Sequence, residues 1–321
     1  MKEIGGYFEL ENLISDEYYS NLISLNSART SLLYLIKVKN ITKLHIPYYL
    51  CDSVINVLKN NKINFDYYKV NSDFTPKFEG KLKKNEFLYI VNYFGQVSNE
   101  MILNFKELFE NIIIDNTHAF FQNPIDGIDT IYSCRKFFGV PDGAYLSTDI
   151  KDVKKLPLDK SKDRMQHLLG RYEENAFDYY KQFQTNDEIF EKEPIKQMSR
   201  ITHNILGAID YEYVRRVRNK NYIYLYQKLK RFNKLNLNIP DGAFCYPLYI
   251  ENSFKIRKKL IDNRIYISKL WPNVLNEDRD KIALKYSNNI LPIPCDQRYN
   301  EKDMEYIIDI ILEELIKEMG E

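Results

Sequence analysis

Between about residues 20 and 150, short apolar runs alternate with stretches of helical periodicity, and this alternation leaves few folds open. LISLN, KLHIP, INFDYYKV, EFLYIVNYF, NIIIDN, TIYSC and AYLSTD read as strands, and ARTSLLYLIK, LCDSVINVLKNN and SNEMILNFKELFEN read as helices. Strands separated by helices of this length require right-handed crossovers. The pattern therefore predicts an α/β fold with a mostly parallel seven-stranded sheet. Such sheets bind ligands outside the carboxyl ends of their strands. Residues at those ends are where chemistry is to be sought.

Two charged residues stand there. Asp115 closes the run of three isoleucines in NIIIDNTHAFF, which reads as a buried strand. TIYSC then delivers Lys136 into a turn containing Gly139, Pro141 and Gly143. Only 11 glycines occur in 321 residues, below the roughly 7% of ordinary proteins, so those that remain are expected to serve the backbone. An aspartate and a lysine held at strand ends are what a pyridoxal phosphate enzyme requires. The lysine forms a Schiff base with the cofactor aldehyde, and the acid keeps the pyridine nitrogen protonated so that the ring can accept electrons. A water-poor setting would favour the free amine that Lys136 needs. The plain alternatives are a surface lysine among 46 basic residues and an aspartate that caps a turn. Ser133, the apolar strand and the GVPDGAY turn weigh against them. At the other end of the region, NSART opens an apolar helix. Its Ser and Thr can cap that helix while free backbone N–H groups receive a phosphate, although most such starts are only caps.

The segments LNSARTSLLYLI, IPYYLCDSV, VNYFG, IIIDNTHAFF, YSCRKFFGVPDGAYL and LPIPCDQRYNEKDMEYI occur in that order. Together they resemble the DegT/DnrJ-type sugar aminotransferases, a group of fold-type-I pyridoxal phosphate enzymes, from about Gly5 to the last helix. The resemblance implies that Lys136 is the Schiff-base lysine, that Asp115 pairs with the pyridinium nitrogen and that His118 lies near the ring oxygen. It maps the phosphate cup onto Ser27, Ala28 and Arg29, with Ser133 as a further phosphate contact. It puts the ring that stacks on the cofactor near IPYYLCDSV, with Tyr48, Tyr49 and Tyr93 as candidates. Three departures stand out. Cys51 occupies a position that is aromatic in many relatives, the Ser133–Lys136 spacing is short, and so is the chain.

The same resemblance implies amino transfer to a nucleotide-linked keto-sugar, as in polysaccharide biosynthesis, with glutamate as the amino donor. It also implies a homodimer with active sites at the subunit interface. Relatives with the same cofactor but another reaction or acceptor remain possible. Sugar dehydratases of this fold carry histidine in place of the lysine, which Lys136 argues against. A non-catalytic binding or regulatory homologue would have no physical need to retain both Asp115 and Lys136.

Composition narrows the remaining classes. At 44% hydrophobic the chain can bury a large core, and two parts are expected: a large cofactor-binding domain over 1–210 and a smaller α+β domain over 211–321. A formal charge of +1 offers no electrostatic case for nucleic acid or an anionic membrane. No apolar stretch is long enough to span a bilayer, and MKEIGGYFELENL lacks the apolar core of a signal peptide, so a cytoplasmic protein is expected. Cys51, Cys134, Cys245 and Cys295 are scattered and read as reduced thiols. His45, His118, His167 and His203 show no metal-site spacing. Neither GxGxxG nor GxxxxGK[ST] occurs. Residues 160–190 are charged and aromatic and are expected to form helices over the sheet. There Arg164, His167, Arg171 and Tyr172 suit either a substrate-facing segment or a solvated helix face.

Overall fold

The computed structural model describes residues 10–13, 15–150, 156–276 and 280–320, so Gly5 lies outside the described residues. Every strand expected in the first half forms. These are β1 (Ile23–Leu25), β2 (Lys43–Pro47), β3 (Asn64–Val70), β5 (Glu86–Val91), β6 (Ile112–Asp115), β7 (Asp129–Ser133) and β8 (Ala144–Ser147). A two-residue β4 (Pro76–Lys77) hairpins onto β3 and makes the sheet eight-stranded, one more than expected. The order is β1-β8-β7-β6-β5-β2-β3-β4. The interior strands β3, β2, β5, β6 and β7 run parallel, while β8 pairs antiparallel with both β7 and β1. The chain leaves β2 toward one edge and returns at β5 toward the other, which puts the topological switch between these neighbours. Ligand crevices open at such a point.

The local chemistry explains the crossovers. In α1 (Ala28–Val38), the Ser27 hydroxyl accepts from the Thr30 N–H and the Thr30 hydroxyl accepts from the Ser27 N–H, a capping box that starts the helix at NSART. Helices α2 (Asp52–Asn60) and α3 (Asn99–Phe109) follow where periodicity placed them. Leu44, Ile46, Leu88, Ile113 and Ile114 are fully buried, as continuous apolar runs in a sheet covered on both faces require.

Beyond β8 come α4 (Gln166–Glu173), α5 (Tyr180–Ile189), α6 (Arg200–Leu206) and the long α7 (Tyr211–Leu229). A small antiparallel sheet of β9 (Tyr246–Tyr249) and β10 (Ile290–Ile293) is flanked by α8 (Phe254–Asp262), α9 (Lys281–Asn289) and α10 (Glu301–Gly320). RIYISKLWP contributes neither helix nor strand as far as Trp271. One hydrophobic cluster runs without a break from the large sheet into β9, β10 and α10. All four cysteines are free. Among the described residues no helix is long and apolar enough to cross a membrane.

The two glycines after Lys136 differ in what they do. Gly143 has φ +111°, and a Cβ there would lie 2.9 Å from Thr202 and 3.3 Å from the Cys134 side chain. Gly139 has a backbone open to any residue, with its nearest neighbour, Leu168, at 4.0 Å. The expectation that both serve the backbone holds for Gly143 and fails for Gly139. Gly143→Ala is expected to lower unfolding free energy by about 2 kcal/mol or more, and Gly139→Ala to change it by less than about 1 kcal/mol. Urea denaturation of the two variants checks this; equal losses would contradict it.

Candidate active site

Asp115 ends β6 with its carboxylate buried. Burial demands donors, and the local sequence supplies them. Oδ1 accepts from the Thr117 N–H at 2.8 Å and from the Thr117 hydroxyl, and Oδ2 accepts from the Tyr89 hydroxyl of β5 at 2.6 Å. Burial pushes the Asp115 carboxyl above the ordinary range, while these hydrogen bonds and the charge of Lys136 pull the other way. Tyr89 gave no signal in the sequence, because EFLYIV reads simply as core.

On the neighbouring strand, β7 ends at Ser133 and a tight turn over Cys134–Lys136 carries the lysine. The Lys136 ammonium lies 5.9 Å from the Phe244 ring centroid and has no hydrogen bond or ion pair among the described residues. Its charge acts on Asp115, His118, Cys51, Cys245 and Asp187. The side chain is exposed in the single chain, so the water-poor setting expected for it is not met. The turn carries it past the strand end to the rim of the sheet. Its backbone is nonetheless clamped. Phe137 O accepts from Arg218 Nη2 at 3.1 Å and from Gln297 Nε2 at 2.8 Å. The fully buried Arg218 also donates to Gln297 Oε1 and to Ala243 O, the residue before Phe244.

His118 is 4% exposed, and its Nδ1 makes no hydrogen bond among the described residues. Its ring lies flat on Phe244 at 4.2 Å and 8°, with Trp271 at 5.9 Å and 16°. Trp271 in turn meets Tyr49 edge-on at 4.8 Å. Tyr49 and Tyr93 stack on each other behind this wall, fully buried, with hydroxyls that donate to Leu270 O and Tyr49 O. Tyr48 stacks on Tyr67 instead. The aromatic ring that meets both Lys136 and His118 is thus Phe244, which the sequence candidates Tyr48, Tyr49 and Tyr93 did not include.

Gly143 joins the start of α1 to the end of β7. Its N–H donates to Asn26 O at 2.9 Å, and its carbonyl accepts from the Cys134 N–H at 3.1 Å. The N–H groups of Ala28 and Arg29 at the first turn of α1 have no partner among the described residues, nor does the Ser133 hydroxyl. The Arg29 side chain turns to Asp187 on α5, which also receives Arg135. Of the four residues suggested in the 160–190 segment, Arg164 and His167 are buried while Arg171 and Tyr172 are exposed. Arg164 pairs with Asp159 at 2.5 Å. Among the described residues no group of His, Cys, Asp and Glu is arranged to hold a metal ion.

Burial and the Lys136 charge push the His118 pKa down to about 3, from the 6.5 expected of an unfolded chain. The folded protein therefore resists taking up a proton that the unfolded chain accepts. His118 favours folding above about pH 6.5, and this contribution is lost progressively as pH falls toward 3. His118→Gln is expected to flatten the acid limb of stability by up to about one proton relative to wild type. Denaturant midpoints measured from pH 7 down to pH 4 test this, and parallel limbs for the two proteins would refute it.

No protein-family model and no curated protein matches the chain in sequence. Solved structures do match in three dimensions. A DegT DnrJ EryC1 StrS aminotransferase from Brucella abortus has 13% identity, a TM-score of 0.62, and covers 90% of this chain and 84% of its own. Spr1654 from Streptococcus pneumoniae in its PLP form has 15% identity, a TM-score of 0.62, and covers 90% and 85%. Helicobacter pylori PseC, an aminotransferase involved in the biosynthesis of pseudoaminic acid, has 14% identity, a TM-score of 0.59, and covers 90% and 85%. The chain thus has the α/β fold of these aminotransferases, with Asp115 at the carboxyl end of β6 and Lys136 on the turn that follows the adjacent parallel β7.

Proposed function

We propose that the protein is a pyridoxal phosphate-dependent aminotransferase that converts a nucleotide-linked keto-sugar to an amino-sugar with glutamate as donor. The observation that carries this reading is that Lys136, on the turn after β7, and His118, just past β6, meet the same Phe244 ring, with Asp115 closing the strand beside β7. The residues fit the cofactor: His118 Nδ1 is buried without a partner, and the first N–H groups of α1 and the Ser133 hydroxyl are uncommitted. When bound, pyridoxal phosphate supplies an aldehyde that takes up an amino group and a ring that withdraws electrons.

The chain's own residues divide the remaining work. Lys136 Nζ would hold the cofactor aldehyde and would move a proton at the donor's α-carbon. Asp115 would hold the protonated ring nitrogen, whose charge would keep the buried carboxyl ionised in a charge-assisted hydrogen bond. Neutral His118 would face the ring oxygen. Ser27, Ala28, Arg29 and Ser133 would receive the phosphate, with the positive end of the α1 dipole in support. Tyr49 and Tyr93 back the aromatic wall through Trp271. A homodimer in the cytoplasm is part of the same reading. The open side of Lys136 and the exposed Tyr172, Phe177 and Tyr180 suit a second copy that would close the site.

Purified protein mixed with pyridoxal phosphate is expected to develop a visible absorption band that Lys136→Ala abolishes. No band in the wild type would falsify the proposal. Addition of glutamate is expected to convert the band to the pyridoxamine form. A band unchanged across plausible amino donors removes amino transfer while leaving cofactor binding.

A further inference from the structure

Arg29 and Arg135 approach each other across a single carboxylate. Arg29 Nη2 lies 3.1 and 3.2 Å from the two oxygens of Asp187, Arg29 Nη1 donates to Asp187 O at 3.1 Å, and Arg135 Nη1 lies 3.1 Å from Oδ1. The arginines are largely covered, with side chains 12% and 15% exposed, whereas Asp187 is 47% exposed. Such a pair matches the oxygen geometry of a phosphate as well as that of a carboxylate. The charge around it is not balanced by Asp187 alone. Arg164, paired with Asp159, lies over the same Phe190 ring as Arg135, is itself nine-tenths buried, and its Nη1 has no partner among the described residues. Lys136, next to Arg135, is also without an ion pair among the described residues. One arginine belongs to the first turn of α1 and the other follows Ser133 by two residues, so both extend from the segments that carry the uncommitted backbone and hydroxyl donors.

We infer that Arg29 and Arg135 form a seat for a phosphate group in which Asp187, delivered by α5, serves as an internal occupant that the incoming phosphate displaces. The inference rests on the proposed cofactor reading and adds to it side-chain donors and a competitor belonging to this chain. Binding of a phosphate-bearing ligand then carries a cost that its unphosphorylated counterpart does not meet, because the Asp187 contacts must break first. Loss of those contacts leaves the last turn of α5 held by Asn186 donating to Pro141 O and by Phe190 against the Arg135 and Arg164 guanidinium groups.

The test compares wild type with Asp187→Asn and Arg135→Met by titration of pyridoxal phosphate and of pyridoxal, read from the visible band. Asp187→Asn is expected to tighten pyridoxal phosphate about tenfold and to leave pyridoxal unchanged, since a charged competitor is removed. Arg135→Met is expected to erase most of the preference for the phosphorylated form. Equal weakening of both ligands by Asp187→Asn would mean that the carboxylate is only a structural tie, and it would overturn the inference. Calorimetry with inorganic pyrophosphate separates the source of the phosphate. Pyrophosphate that binds only cofactor-free protein, and more tightly in Asp187→Asn, assigns the seat to the cofactor. Such tightening in cofactor-loaded protein assigns it to a substrate phosphate. Absence of pyrophosphate binding in both proteins removes the seat. If the wild type shows no visible band, the cofactor reading fails, and calorimetry still decides the seat.

Discussion

A carboxylate buried at the end of a parallel strand must be supplied with donors or it gives up its charge, and the site is arranged around meeting that demand. Asp115 receives the Thr117 N–H and hydroxyl from its own chain direction and Tyr89 from the strand beside it. These contacts fix the carboxylate between β5 and β7, where the lysine turn begins. The charge of Lys136 then works on the same carboxylate and on His118, which burial keeps neutral. The site is an electrostatic unit built on strand ends, with few direct contacts among its principal members.

Joining the start of α1 to the lysine turn falls to one residue. Gly143 bonds Asn26 at the start of α1 with one peptide group and Cys134 at the end of β7 with the next, at a positive φ in a space that excludes a side chain. Because β1 and β7 both pair with antiparallel β8, the loop carrying Gly143 can only lie between them. Sheet topology and one residue's backbone freedom together set the separation of Ser27 from Ser133.

Much of the fold was legible in the sequence because hydrophobic period and chain direction decide it. The run NIIIDN could only be a covered strand, and NSART marked its helix start through side chains that bond within four residues. Asp115 and Lys136 were legible for the same reason, as polar residues at the limits of apolar runs. The two-residue β4 was not, since a hairpin of that length leaves no periodic trace. Nor were Phe244, Arg218 and Asp187 legible. Each reaches the site from far along the chain, and long-range pairing of a ring, a guanidinium or a carboxylate has no local signature. Tyr49 and Tyr93 show the converse: their aromatic character was plain, but packing turned them into the back of a wall. Exposure of Lys136 likewise depends on what covers the sheet rim, which the turn sequence does not encode.

Arg218 donates to the carbonyl after the lysine and to the carbonyl before Phe244, and Gln297 doubles the first of these bonds. The lysine turn is thereby riveted to the segment leading into β9, with a buried cation that has no water to exchange for its partners. A hinge along that seam would strand an unsatisfied guanidinium. The end of α5 is tied differently, by Asp187 between Arg29 and Arg135, by Asn186 on Pro141 O and by the buried Phe190, so it can leave the two arginines without stranding Arg218.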